Sequence, residues 1–235
     1  MSKLIALELK RNNIRTYLVT SGIACAVLLA FIYFVSYVAQ VESGIHEEQF
    51  QNYTNIFRFT GTISLIIFSI MSATMYSRLI IDEYSGKRAA LLFSYPVNRS
   101  KILLAKLLLV FVFTSVSMLI CTAIPYIIFS ITESVSPIVT QDTMTTGLIL
   151  DTLKILLVAI LAVGGIGIMA MRIGFIKKSI PATLITAFAL SAIYGNAALN
   201  ANTLLSGLVI GGIGVVATIA IMVELTNKVN EMEVE

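Results

Sequence analysis

Few residues in this chain could do chemistry, and their spacing does not favour it. His46 is the single histidine and stands beside Glu47 and Glu48. One imidazole without a second ligand reads as a solvated side chain, not as a metal or proton-transfer centre. Cys25 lies early in one apolar run and Cys121 late in another, so the two are expected at different depths, unbridged, as small core residues. Gly86-Lys87 is not a phosphate loop. The position five before Gly86 is Ile81 rather than Gly, and Arg88 stands where Ser or Thr is required. The GGIG strings at Gly164, Gly165, Gly167 and at Gly211, Gly212, Gly214, and the Gly207/Gly211 pair, all lie in apolar runs, where glycine lets helices approach closely. The chain has no visible ATP site and no catalytic constellation.

The elements that must carry these residues follow from composition. Hydrophobic residues make up 57% of the 235 positions and charged residues only 12%, with a mean hydropathy of +0.92. A soluble domain carries about 25% charged residues. The reading is an all-α polytopic membrane protein, a single domain over 1–235. Six stretches approach the roughly 20 apolar residues a spanning helix needs: 17–39, 59–81, 102–131, 149–171, 179–197 and 204–224. The third is long enough to tilt or project, with Pro125 a candidate kink. Only residues 196–203 separate the last two, which leaves a partly re-entrant hairpin as an alternative there. Residues 1–16 mix Leu4, Ile5, Leu7, Leu9 and Ile14 with Lys3, Lys10, Arg11 and Arg15. They read as an amphipathic interfacial helix, against the alternative of a basic flank that only sets topology. No cleavable signal pattern follows.

Charge sets the orientation. With the N-terminus in the cytoplasm, 14 of the 16 Lys and Arg fall on that side, and only Arg58 and Lys154 fall outside it. Glu42, Glu47, Glu48, Glu133, Asp142 and Asp151 occupy the outer loops. A multi-pass protein of the cell membrane with both termini cytoplasmic is expected. The net charge of +3 reflects those inner segments and does not call for nucleic acid. The span interiors hold almost no Asp, Glu, Lys, Arg or His, with none from Phe59 to Ser77 or from Leu107 to Thr132. Proton- or sodium-driven carriers place carboxylates or histidines at membrane depth, and an intramembrane metalloprotease needs ligands there. Neither class fits.

The most polar part is IIDEYSGKRAALLFSYPVNRSKILLAK, residues 80–106. Asp82, Glu83, Lys87 and Arg88 cluster where the second span ends, and AALLF at 89–93 is apolar again. Pro96 disfavours helix at Tyr95, and Asn98 or Ser100 can cap the third span. The expectation is a short cytoplasmic helix over 82–95 that presents mixed apolar and charged side chains.

Glu83, Gly86, Leu91, Leu92, Pro96, Arg99 and Lys106 together resemble the pattern of the membrane subunit of ABC type-two export permeases. Lys87-Arg88 departs from the small or hydroxyl residue that often follows the glycine. The resemblance implies a permease that pairs with a second permease, identical or homologous, and with two cytosolic ABC ATPase subunits that bind ATP and Mg. This chain would hold no cofactor and would not itself be an enzyme. The helix between spans two and three would be the coupling helix, with Glu83, Gly86, Leu91, Leu92, Phe93, Pro96 and Arg99 as its functional residues. The expected role is outward movement of a hydrophobic or amphipathic cargo, with antimicrobial or cytolytic peptides, in export or immunity, as the subclass. A non-transporting membrane regulatory or structural subunit and an ATP-independent channel or scramblase are the rivals.

Overall fold

The computed structural model describes residues 14–41, 52–82, 99–139, 145–177 and 179–200, together with 216, 218–221 and 223–224. The described residues form long helices: α1 Ile14–Val41, α2 Tyr53–Tyr76 continued by a π-helical turn Ser77–Ile81, α3 Arg99–Val135, α4 Thr146–Lys177 and α5 Ile180–Asn200. All five are long and apolar enough to cross a membrane. The protein is therefore all-α and polytopic. The sixth expected span, 204–224, lies largely outside the described residues, of which 216, 218–221 and 223–224 are helical. Gly207, Gly211, Gly212 and Gly214 lie outside them too, as do residues 1–13 of the expected interfacial helix.

The helices form because an apolar solvent leaves their backbone no outside partner. The interspersed hydroxyls satisfy themselves the same way. Thr20 donates to the Thr16 carbonyl at 2.9 Å, Thr60 to Ile56 at 2.9 Å and Thr114 to Val110 at 2.9 Å. At about 1.5 Å per residue, α3 is roughly 55 Å long, well beyond a hydrocarbon core of about 30 Å. It runs as one helix through Pro125. α5 is a full helix of 21 residues, which removes the re-entrant alternative for its half of the pair.

α2 is the central element. It packs against α1, α3, α4 and α5, most extensively against α4 and α5, while α1 leans on α3. Its core face carries Leu65, Phe68, Met71 and Ala73, and α4 answers with Val163, Ile166 and Ala170. Close approach depends on glycine at Gly164 and Gly167. A Cβ on Gly167 would collide with Ser72 Oγ and lie 2.9 Å from Tyr76 Cε2, and one on Gly164 would collide with the Phe111 ring. The first GGIG string thus marks helix contact, as its apolar setting implies. A hydroxyl pair, Ser64 Oγ and Thr122 Oγ1 at 2.7 Å, ties α2 to α3 in the same layer. Outward faces remain apolar, with Leu18, Ile23, Phe34, Val112, Ile127, Ile185 and Phe188 exposed.

Two positional expectations are corrected. Cys121 Sγ donates to the Ser21 carbonyl at 3.3 Å, and the Cys25 thiol lies beside it, so the two cysteines share one depth. α3 has 37 residues against 28 in α1, so a position late in α3 falls level with an early one in α1. Both thiols are free. α2 begins at Tyr53 rather than 59, which brings Arg58 into the helix.

Candidate coupling region

Segment 83–98 joins the end of α2 to the start of α3, and the structure shows how those two ends are held. α2 does not stop as an α-helix. Over Ser77–Ile81 it widens to a π turn, closed by the Asp82 amide donating to the Ser77 carbonyl at 3.0 Å. Such a turn takes carbonyls out of their usual register and marks functional positions in many helices. The Leu79 carbonyl within it accepts a hydrogen bond from Lys106 Nζ at 3.0 Å. Lys106 is 1% exposed. In the reverse direction the Tyr76 hydroxyl, also fully buried, donates to the Leu107 carbonyl on α3 at 3.3 Å.

Side chain and backbone are thus exchanged both ways between the same two helix ends. A buried ammonium is costly unless it is met by acceptors. Here it sits at the carbonyl end of α2, where the helix dipole is negative and favours a cation. An apolar shell of Met75, Leu79, Ile80, Leu103, Leu107 and Val110 encloses the clasp, with Ile168, Met171 and Phe175 of α4 behind it and Ile221 packed against it. Arg78 is the one exposed residue of the π turn.

The same end is stitched laterally. At Gly174 a Cβ would collide with Thr183 Oγ1 of α5 and lie 2.7 Å from Ile81 Cδ1, so α4, α5 and the π turn meet there. The Ser179 amide donates to the Gly174 carbonyl at 3.1 Å across the α4–α5 turn. Arg172 Nη2 donates to Glu224 Oε1 at 2.6 Å, which joins α4 to the helical residues beyond 215. A force applied to segment 83–98 would therefore reach α2, α3, α4 and α5 through direct contacts.

Of the residues singled out from sequence, Glu83, Gly86, Leu91, Leu92, Phe93 and Pro96 lie outside the described residues. Arg99 is the first residue of α3, and Asn98 lies outside the described residues. Lys106 belongs to the clasp. Tyr76 and the π turn were not legible, because both sit inside the stretch 59–81 read as one regular span. The available signal was Lys106 itself, a lysine that the helix carries inward past Arg99 and Lys101.

The opposite end is organised around a carboxylate. Glu133, expected in an outer loop, lies in the last turns of α3 at 6% exposure. Its Oε2 accepts from the Tyr53 hydroxyl at 3.0 Å and from the Ile138 amide at 2.9 Å. Phe57, Phe129 and Tyr33 pack edge-on around it, and the Tyr33 hydroxyl meets Thr132 Oγ1 at 2.6 Å. These contacts fold the chain after Val135 back onto the start of α2. Asp151, also expected in a loop, lies in α4 and accepts from Lys154 Nζ at 2.9 Å. His46, Glu47 and Glu48 lie outside the described residues.

Comparison with known proteins agrees with this architecture. The chain is 25% identical over 183 residues to the uncharacterized protein YcbO of Bacillus subtilis (strain 168), covering 78% of each chain. No solved structure matches it. The family described as ABC-2 family transporter protein matches residues 5–193, a stretch that takes in all but the last few described residues, the Tyr76–Lys106 clasp and the segment it bounds. This polytopic helical chain, matched over most of its length, belongs to the ABC-2 family of transporter proteins.

Proposed function

We propose that this chain is the permease of an ATP-driven exporter, and that residues 82–95 form its coupling helix, docked on a separate cytosolic ABC ATPase. The observation that carries this reading is the two-way clasp of Tyr76 on Leu107 and Lys106 on Leu79. It fixes both ends of the segment to each other and to the bundle, as a lever needs and a passive connection does not. Two membrane subunits and two ATPases make up the working complex, with both termini of each permease cytoplasmic. The cargo is hydrophobic or amphipathic, with cytolytic and antimicrobial peptides as the leading class.

Leu91, Leu92 and Phe93 are the docking anchors, because buried apolar groups near an interface centre dominate binding. Losing one costs on the order of 2 kcal/mol, roughly thirtyfold in affinity. Leu92→Glu is expected to release the partner ABC ATPase while the permease stays folded in the membrane. Pull-down of that ATPase, together with the amount of permease recovered, measures this. Undiminished capture and transport would refute the coupling assignment.

Orientation has its own test. In a background with Cys25→Ala and Cys121→Ala, an impermeant thiol reagent added to intact cells should label Glu47→Cys and not Lys87→Cys. The reverse pattern would place the termini outside.

A further inference from the structure

Between α2, α3, α4 and α5, toward the end that carries Glu133, lies a cavity of about 250 Å³. Arg58 and Asp151 are its charged residues, and Phe57, Gly61, Tyr126 and Ala159 are among its walls. A groove of about 330 Å³ adjoins it, sharing Phe57, Tyr126, Thr152 and Leu156 with the cavity. The groove is lined almost wholly by apolar side chains, including Ile127, Ile131 and Leu153, which are exposed on the outside of the bundle. Ligand sites commonly span about 300–1,000 Å³ and combine such walls with a few placed polar groups.

The electrostatics are unbalanced. Asp151 is matched by Lys154 in an exposed ion pair at 2.9 Å. Arg58 is half-buried, and its guanidinium makes no hydrogen bond or ion pair with another described residue. Among the described residues, Arg58, Asp151 and Lys154 together leave one excess positive charge at the cavity and its rim, on a flat, five-donor group suited to phosphate. An ionisable residue inside a spanning helix usually has a partner or a ligand. Gly61 keeps the floor open, since a Cβ there would lie 3.3 Å from the Tyr126 hydroxyl, which is itself held by donation to the Phe57 carbonyl at 2.8 Å.

We infer that this cavity and groove bind an anionic phospholipid, with the phosphate on Arg58 and one acyl chain along Phe57, Tyr126, Leu153 and Leu156. The polar pocket supplies the head site and the outward-facing apolar groove supplies entry from the bilayer, so a diffusing lipid meets both parts at once. A guanidinium meets a phosphate through paired, charge-assisted hydrogen bonds, which the half-buried Arg58 leaves open to an entering head group. Both parts of the site are built by residues of one subunit.

The test uses the purified full chain in neutral detergent, with bound lipid counted by native mass spectrometry and stability followed by thermal melting. Phosphatidylglycerol should bind at least tenfold more tightly than phosphatidylcholine of the same chains, and raise the melting temperature where phosphatidylcholine does not. Arg58→Gln should erase the difference between the two lipids. Leu153→Trp, which narrows the groove and keeps the charge, should weaken phosphatidylglycerol at least tenfold. It carries the test alone if Arg58→Gln does not fold. Equal binding of both lipids by the native chain, or phosphatidylglycerol binding unchanged in a folded variant, would overturn the assignment. Stabilisation by inorganic phosphate equal to that by phosphatidylglycerol would overturn it in favour of a free-anion site.

Discussion

Gly167→Leu should remove most of the folded protein. At this position α4 lies against α2 closely enough that even a methyl group meets Ser72 Oγ and stands 2.9 Å from Tyr76 Cε2. Neither neighbour has free room. Ser72 is fully buried, and the Tyr76 ring is anchored through its hydroxyl to the Leu107 carbonyl. A leucine can be housed only by pushing the two helices apart, which also opens the layer formed by Val163, Ile166 and Ala170. Overpacking a close contact costs about 3 kcal/mol or more when the backbone must move. Gly167→Ala should cost less than leucine, about 1–3 kcal/mol, because turning the Ser72 hydroxyl aside still leaves the anchored Tyr76 ring 2.9 Å from the new methyl group. Gly22→Leu is the control, since a Cβ there meets nothing within 4 Å. Melting in detergent and the yield of monodisperse protein measure all three. Equal tolerance of leucine at 167 and 22 would show that the α2–α4 contact is not held by close approach.

The same contact shows what a sequence of this kind discloses. Five apolar runs became five helices, because a stretch of about 20 apolar residues has no other structure available in a bilayer. Helix ends were less legible. Arg58 and Glu133 were placed outside the spans because they are charged, yet α2 starts at Tyr53 and α3 continues to Val135. Glu133 can be buried because Tyr53 and the Ile138 amide meet it, and those partners are distant or irregular in sequence. Residues 164 and 167 were readable as contact glycines, but not the neighbours they touch. The π turn was invisible for a similar reason: the Leu79 carbonyl within it is met by Lys106, which lies in another helix. In the coupling region nothing in the chain pointed to Tyr76, while Lys106 was legible only as the lysine that enters the third span.

That lysine supports the sharpest functional expectation. Lys106→Met keeps the length and the apolar stem but removes the ammonium from the Leu79 carbonyl. The lost hydrogen bond to a charged group is worth about 1.5–3 kcal/mol, but the desolvation cost of burying the charge goes with it. Net stability should therefore change by less than about 2 kcal/mol, and the subunit should still reach the membrane and still capture its ATPase. What should fail is transmission. With the clasp reduced to Tyr76 alone, the π turn and the start of α3 can move apart when segment 83–98 is displaced, and the motion no longer reaches α4 and α5 as a unit. Export should fall at least tenfold while ATP hydrolysis by the captured ATPase continues. Lys177→Met, at an exposed position in the last turn of α4, should leave both unchanged. Vesicle transport and ATPase assays on the same preparations separate the outcomes. Native transport by Lys106→Met would reduce the clasp to ordinary packing. Loss of ATPase capture would move the role of Lys106 from transmission to docking.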